Sequence, residues 1–381
     1  MSPCPPERIL YMTSSKINTI EAIMLILTII VTHTILSLPR SILVLCKSAS
    51  IINIIYVSII AILIAYFIYR LFKNFQGADL IDVSEFLGGK VLKNIIGTIF
   101  IIYFIFSSSI LLRNFCECLK IIYYPMTNIV FIILFFIVAL CIANRLDFSA
   151  TLKTNTLILP LVLASMLFLF FANINKFVPQ RIFPILGDGI FQTFGLGLIN
   201  LASFGGIAYL YFLPPLLKEP KDMKKISLIS IGISAIYLIL CVATLLFMFS
   251  FFMKTDEITP LYNATRYIEF GKFFQRLESV FLLIWILAFA CYLSIVTKFS
   301  MRIFQKITNI ENKKELIDIF GLLIFGIAIL PQNYAVSEKF ETTVYPYLVL
   351  GIVLVLGLSI LILANLSKHS QKRFKKEEPN A

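Results

Sequence analysis

Ten long apolar stretches follow one another along this chain, separated by short polar segments. A helix of about 20 apolar residues spans the roughly 30 Å hydrocarbon core of a bilayer. The composition agrees, because 59% of the 381 residues are hydrophobic and only 14% are charged. The sequence therefore predicts an all-α polytopic membrane protein that forms one integral membrane domain. The ten predicted transmembrane helices are 18–46, 51–72, 95–121, 126–144, 153–173, 189–217, 226–252, 276–303, 315–334 and 343–366.

Two of these stretches contain residues that do not suit a continuous membrane helix. The first, Ile20–Leu45, contains Thr32-His33-Thr34, and the second, Gly189–Leu217, contains Ser203-Phe204-Gly205-Gly206. A broken helix in hydrocarbon leaves backbone groups without partners unless the break is buried or faces a wet cavity. Paired breaks in corresponding spans of two halves indicate a transporter-type binding site. We therefore expect both helices to be broken and to line a ligand site.

The first of these segments carries an ionisable residue, His33, at mid-membrane depth. Such residues are functional candidates by default, and an imidazole can donate to a ligand carboxylate. The hydroxyls of Thr32 and Thr34 can bond to backbone carbonyls freed by a break. The alternative is a structural kink, in which these hydroxyls bond to the preceding helical turn. Ligand binding or gating and a simple kink both stay open for this segment.

The second segment, Ser203-Phe204-Gly205-Gly206, contains a glycine pair. Glycines permit backbone conformations that are closed to other residues. The N–H groups of the half-helix that follows such a break can bind a carboxylate. The alternative is close packing of helices through small residues. Because the first span carries a matching segment, the sequence favours a break that lines a ligand.

Four further residues are candidates for gating or coupling. Arg113 and Glu117 are four residues apart near the end of the third span, so they can form an ion pair or line a ligand entrance. Glu278 and Trp285 share one face of the eighth span. Glu278 is a candidate for proton coupling, whereas a solvated carboxylate beside an interfacial tryptophan anchor is the alternative.

The sequence does not favour an enzyme. With 2 His and 7 Cys, it offers neither a metal cluster nor a Ser–His–Asp set, and no second pair follows Cys116-x-Cys118 as a zinc site requires. Gly195-x-Gly197 lacks the third glycine of a dinucleotide fingerprint, and no Gly-Lys-Ser or Gly-Lys-Thr phosphate loop is present. We therefore expect no catalytic residue, metal, cofactor or disulfide framework.

The basic residues predict the orientation. If the N-terminus is cytoplasmic, about two thirds of the Lys and Arg residues lie on the cytoplasmic side, as expected for a membrane protein with both termini and the tail 367–381 inside. The net charge of +12 then faces anionic lipid headgroups, so membrane lipid is a partner and nucleic acid is not. The segment Asp79–Ile95 alternates apolar and charged residues, which predicts an amphipathic connector helix on the inner surface.

Several short motifs occur in a fixed order over about residues 17–366. They are Leu36-Ser-Leu-Pro39, Leu112-Arg-Asn-Phe115, Leu186-Gly-Asp-Gly189, Ser203-Phe-Gly205, Leu213-Pro-Pro215, and Arg276-Leu-Glu278 followed by Trp285. As an ordered set, they resemble the B subunits of bacterial spore germinant receptors (the GerAB type), which belong to the amino acid–polyamine–organocation transporter superfamily. The resemblance implies a five-plus-five inverted repeat with broken helices 1 and 6, with repeat one at about 17–173 and repeat two at about 185–366.

The resemblance also implies a location and partners. These are the spore inner membrane, A-type and C-type receptor subunits, and a small germinant such as an amino acid. The chain departs from the family at the expected pocket. Thr32-His33-Thr34 replaces a glycine-containing segment, and Gly206 stands where many members carry glutamate.

The function that this resemblance implies is a sensor, a membrane subunit that binds a germinant and signals through its partners. Two alternatives stay open. One is an amino acid transporter driven by H⁺ or Na⁺, with His33 or Glu278 in coupling. The other is a membrane scaffold with a vestigial pocket.

Overall fold

The computed structural model describes residues 16–35, 38–249, 260–268, 277–310 and 313–377, which are mostly helical. The regular helices are α1 (Thr19–Ile35), α2 (Leu38–Cys46), α3 (Ser50–Phe72), α4 (Leu80–Tyr123), α5 (Ile129–Arg145), α6 (Phe148–Ala172), α7 (Met223–Met248), α8 (Pro260–Arg266), α9 (Leu277–Thr308) and α10 (Lys313–Ile329). We call Phe191–Tyr211 the broken helix and Tyr334–Lys368 the C-terminal helix. Cys4, Leu36, Ser37, Arg276 and the side chain of His369 lie outside the described residues.

Seven helical segments of the described chain are long and apolar enough to cross a membrane, and α1 and α5 are shorter apolar helices. This confirms the predicted all-α polytopic architecture. The number of ten transmembrane helices stays a prediction, as does the division into repeats at about 17–173 and 185–366.

Helix α1 lies in the interior, where it packs against α6, α7, α9 and the broken helix. Nearly every residue from Ala22 to Ile35 is buried. A helix that is apolar all round can face either lipid or protein in a membrane, and here it faces protein on nearly every side. Because α1 is enclosed by its neighbours, any polar side chain on it must find partners within the protein.

The interruption predicted in the first span does not lie at Thr32-His33-Thr34, because α1 is continuous through these residues to Ile35. The Thr32 hydroxyl donates to the Thr28 carbonyl at 2.7 Å, and the Thr34 hydroxyl donates to the Ile30 carbonyl at 2.9 Å. These bonds satisfy the hydroxyls within the helix and leave its backbone ladder in place. Helix α2 begins at Leu38, and the two residues between α1 and α2 lie outside the described residues.

The break predicted in the sixth span is confirmed. The broken helix begins with a π-helical turn, Phe191–Gly195, and continues as a tight 3₁₀ helix that is interrupted at Phe204 (φ −94°, ψ 28°). Irregular turns leave carbonyl groups that need partners in a membrane. The Asn53 amide of α3 supplies them, donating to the Thr193 carbonyl at 2.7 Å and the Gly197 carbonyl at 3.0 Å.

The predicted amphipathic helix over Asp79–Ile95 is interrupted at Gly88 and Gly89, where the backbone leaves helical geometry. Leu80 and Ile81 are fully buried, so the first turn packs against protein. Asp79 caps this turn by accepting a hydrogen bond from the backbone N–H of Asp82. Glycine at position 89 is required by its positive φ of 64°.

An ion-pair cluster attaches this short helix to the end of α9. Lys306 Nζ lies 2.7 Å from Asp79 Oδ1 and 2.6 Å from Asp82 Oδ1. Burial alone raises the pKa of the Asp79 carboxyl, but the Lys306 ammonium holds that pKa below its ordinary value. The positive charge of Lys306 therefore stabilises two carboxylates at the predicted cytoplasmic end of the molecule.

The last span begins earlier than predicted. The C-terminal helix starts at Tyr334 rather than at residue 343, and it contains two π-helical stretches, Phe340–Val344 and Val349–Leu356. The buried carboxylate Glu341 therefore lies inside this helix. π-helical turns in membrane and soluble helices often mark functional sites.

Candidate functional site

His33 is the centre of a buried polar contact between three helices. Its Nε2 atom lies 3.0 Å from the Tyr292 hydroxyl of α9, and its ring stacks on Tyr345 of the C-terminal helix at a centroid distance of 4.8 Å. His33 is 4% exposed, and its Nδ1 atom has no hydrogen-bond partner. A buried polar atom without a partner costs free energy, so this nitrogen is available to a ligand or a water molecule.

The break in the broken helix also lies beside Tyr345. A Cβ atom added to Gly205 would overlap the Tyr345 hydroxyl oxygen and would lie 3.2 Å from the Tyr103 hydroxyl oxygen of α4. The Tyr103 and Tyr345 rings stack at a centroid distance of 6.4 Å. Glycine at 205 therefore allows two phenol groups to approach the backbone beside the interruption at Phe204.

Gly206 has a different neighbour. A Cβ atom at this position would lie 2.5 Å from Ile30 Cγ1, so Gly206 allows α1 and the broken helix to pack closely. This is the close packing that the sequence left open as an alternative for the glycine pair. Ser203 and Phe204 are also buried. The ligand-binding role of Ser203–Gly206 and of Thr32–Thr34 stays a prediction.

Towards the predicted outer end, a second polar group lies on α4. The Arg113 guanidinium and the Glu117 carboxylate form a buried ion pair, with Nη2 2.8 Å from Oε1, and Arg113 also donates to the Ala328 carbonyl at 3.3 Å. Next to this pair, the Asn114 amide donates to the Glu341 carboxylate. Arg113 lies about 15 Å from Tyr103 along α4, at 1.5 Å per residue. Its role in gating or coupling stays a prediction.

The structure does not bring Glu278 and Trp285 to this site. On α9, Glu278 lies about 21 Å and Trp285 about 10 Å along the helix from Tyr292. Trp285 is buried and packs edge-on against Phe281, so it is not an exposed interfacial anchor. Within the described ranges, no group of three or more His, Cys, Asp or Glu side chains suits a metal ion.

Sequence reasoning missed four residues of this site: Tyr103, Tyr292, Glu341 and Tyr345. Tyrosines are common in membrane proteins and carry no local signal. Glu341 could have been identified from the sequence, because it lies beside a long apolar run. An acidic residue is a functional candidate when the membrane helix includes it. The predicted last span begins at residue 343 and therefore does not include Glu341.

A buried, interrupted helix packed against α1 defines a membrane protein with the architecture of secondary transporters. The solved structures agree. The chain resembles a Na⁺-coupled sialic acid symporter in its substrate-bound outward-open state, with a TM-score of 0.63 and 13% identity over 92% of this chain and 78% of the symporter. The chain also resembles a mutant of the manganese transporter of Eremococcus coleocola. The TM-score is 0.53 and the sequence identity is 13%, over 99% of this chain and 91% of the transporter. At these identities the likeness shows the fold alone.

The chain belongs to the family of spore germination proteins, because residues 16–337 match the model of that family. It is 25% identical to spore germination protein YndE of Bacillus subtilis, over 85% of this chain and 90% of YndE. It is also 25% identical to spore germination protein A2 of the same organism, over 84% of this chain and 88% of that protein. These findings confirm the resemblance that the ordered motifs carried.

Proposed function

We propose that this protein is the germinant-binding membrane subunit of a spore germinant receptor. Its ligand is a small germinant, such as an amino acid, and it signals germination together with A-type and C-type subunits in the spore inner membrane. Binding shifts the balance between two conformations of a transporter-like core. A ligand can do so only through its different affinities for the two states.

One observation carries this proposal: the interruption at Phe204 lies beside the buried contact of His33, Tyr292 and Tyr345. A break at this depth needs buried polar surroundings, and the side chains of this contact come from α1, α9 and the C-terminal helix. When a site is formed by several helices, ligand binding can change how those helices pack against one another. The family and its named relatives support a role in germination.

Replacing Tyr292 with phenylalanine tests the site, because it removes only the hydroxyl that contacts His33. We expect the amino acid concentration needed for half-maximal germination to rise about tenfold, since leaving a buried polar atom unsatisfied costs about 1 to 3 kcal/mol. The measurement is the fall in optical density of spores that carry the variant, over a range of concentrations of each candidate amino acid.

Tyr347→Phe is the matched control, since Tyr347 lies on the C-terminal helix and is 64% exposed. We expect it to leave the dose response unchanged. If Tyr292→Phe also leaves the response unchanged, with a normal amount of protein in the spore membrane, the His33 contact is not part of the germinant site.

The second candidate function is an amino acid transporter coupled to H⁺ or Na⁺. It is favoured by the unpartnered Nδ1 atom of His33, an ionisable group buried inside a central helix. Purified protein in liposomes distinguishes the two functions. Uptake of labelled amino acid that follows an imposed ion gradient supports transport, whereas binding without uptake supports the sensor.

A further inference from the structure

We propose that Glu341 and the side-chain oxygen of Asn114 form a subsite for the ammonium group of the ligand. This inference rests on the proposed function and narrows its ligand class to compounds that carry a primary amine. In this site the negative charge comes from the C-terminal helix. The broken helix does not supply it, because Phe191–Tyr211 contains no acidic residue.

Two helix faces meet along a line that leads from the break to this subsite. Tyr103, Ser107 and Asn114 are spaced by four and seven residues, so they lie on one face of α4. Tyr345 and Glu341 lie one turn apart on the C-terminal helix. Tyr103 contacts Tyr345 at a ring distance of 6.4 Å, and Asn114 donates to Glu341. On α4, Ser107 lies between these two contacts, and its hydroxyl donates to the Phe104 carbonyl at 3.1 Å.

The chemistry of the Asn114–Glu341 contact determines what it can bind. An ionised carboxylate only accepts hydrogen bonds, so the NH₂ group of Asn114 must face Glu341, and this fixes the orientation of the amide. The amide oxygen of Asn114 then has no donor, although the side chain is only 1% exposed. A carboxylate and an amide oxygen side by side are both acceptors. An ammonium group offers three donors and no acceptor, and it therefore complements them.

On the C-terminal helix, one small ligand can reach from Glu341 to Tyr345. Glu341 and Tyr345 are about 6 Å apart along the helix axis. A ligand whose ammonium group meets Glu341 can place its other polar groups near the hydroxyl of Tyr345 and the imidazole of His33. Glu341 is 2% exposed, and a cation that reaches it is largely removed from water. Interactions between opposite charges are strong in such surroundings.

The test compares ligands that differ only in the amine. Purified protein in nanodiscs is titrated with L-alanine, L-valine, L-leucine and L-phenylalanine, and then with the 2-hydroxy acid that corresponds to each amino acid found to bind. We expect Glu341→Gln to weaken binding of the amino acid at least tenfold, because the loss of a hydrogen bond to a charged group typically has an effect of this size. Binding of the hydroxy acid should change by less than twofold. Glu341→Asp, which keeps the charge, should retain part of the preference for the amine.

Glu338→Gln is the matched control, since Glu338 lies three residues earlier on the same helix and pairs with Arg40 at 2.9 Å. An equal loss for amino acid and hydroxy acid in Glu341→Gln, or an equal loss in the control, would overturn the proposal. So would an effect of Glu341→Gln that appears only in sodium buffer and vanishes in N-methylglucamine, because that outcome assigns the subsite to Na⁺. If the unchanged protein binds none of the amino acids, the proposed function itself fails.

Discussion

Replacing Gly205 with valine is expected to abolish the germination response to amino acids. Even the first carbon of the new side chain would overlap the Tyr345 hydroxyl oxygen. Tyr345 cannot move aside cheaply, because its ring stacks between His33 and Tyr103. Overpacking of a well-packed interior costs about 1 to 3 kcal/mol, and here the cost falls on the contacts that form the site. The response of variant spores to each amino acid measures the effect.

Gly232→Val on α7 is the control, since a Cβ atom there has no neighbour within 4 Å. A double variant sharpens the test. Tyr345→Phe removes the oxygen that meets position 205, so combining it with Gly205→Ala should restore part of the response lost in Gly205→Ala alone. Strictly additive losses would show that these two positions do not interact in the working protein.

Replacing Lys306 with methionine is expected to destabilise the protein by about 3 to 5 kcal/mol, the usual cost of removing one partner from a buried ion pair. The variant leaves Asp79 and Asp82 facing each other without the ammonium that lies within 2.7 Å of both. The helical turn that Asp79 caps should then separate from α9.

The loss is measured as the temperature at which buried thiols, such as those of Cys116 and Cys241, become reactive towards a maleimide in detergent. Lys93→Met provides the comparison, since Lys93 pairs with Glu85, whose side chain is 39% exposed. Exposed pairs contribute about 1 kcal/mol or less. Similar melting temperatures for the two variants would contradict the structural role assigned to Lys306.

The broken sixth span was predictable because its signal is local. Gly205 and Gly206 follow Phe204 within an apolar run, and glycine pairs weaken a helix wherever they occur. The segment Thr32-His33-Thr34 looked similar but behaves differently. Its hydroxyls bond back to Thr28 and Ile30, and the helix stays intact. In this chain, the polar residues of the first apolar run form a polar contact and leave the helix intact.

The sequence by itself determined that the chain is a polytopic helical membrane protein, that its sixth span is interrupted, and which family it resembles. These properties depend on the length of apolar runs, on glycines and on ordered motifs, all of which are local. Only the tertiary structure decided that His33 meets Tyr292 and Tyr345, and that Asn114 meets Glu341. The physical reason is that lipid is as apolar as the protein interior. Hydropathy therefore does not show which side of a helix faces its neighbours, and contacts between helices far apart in the chain follow from packing alone.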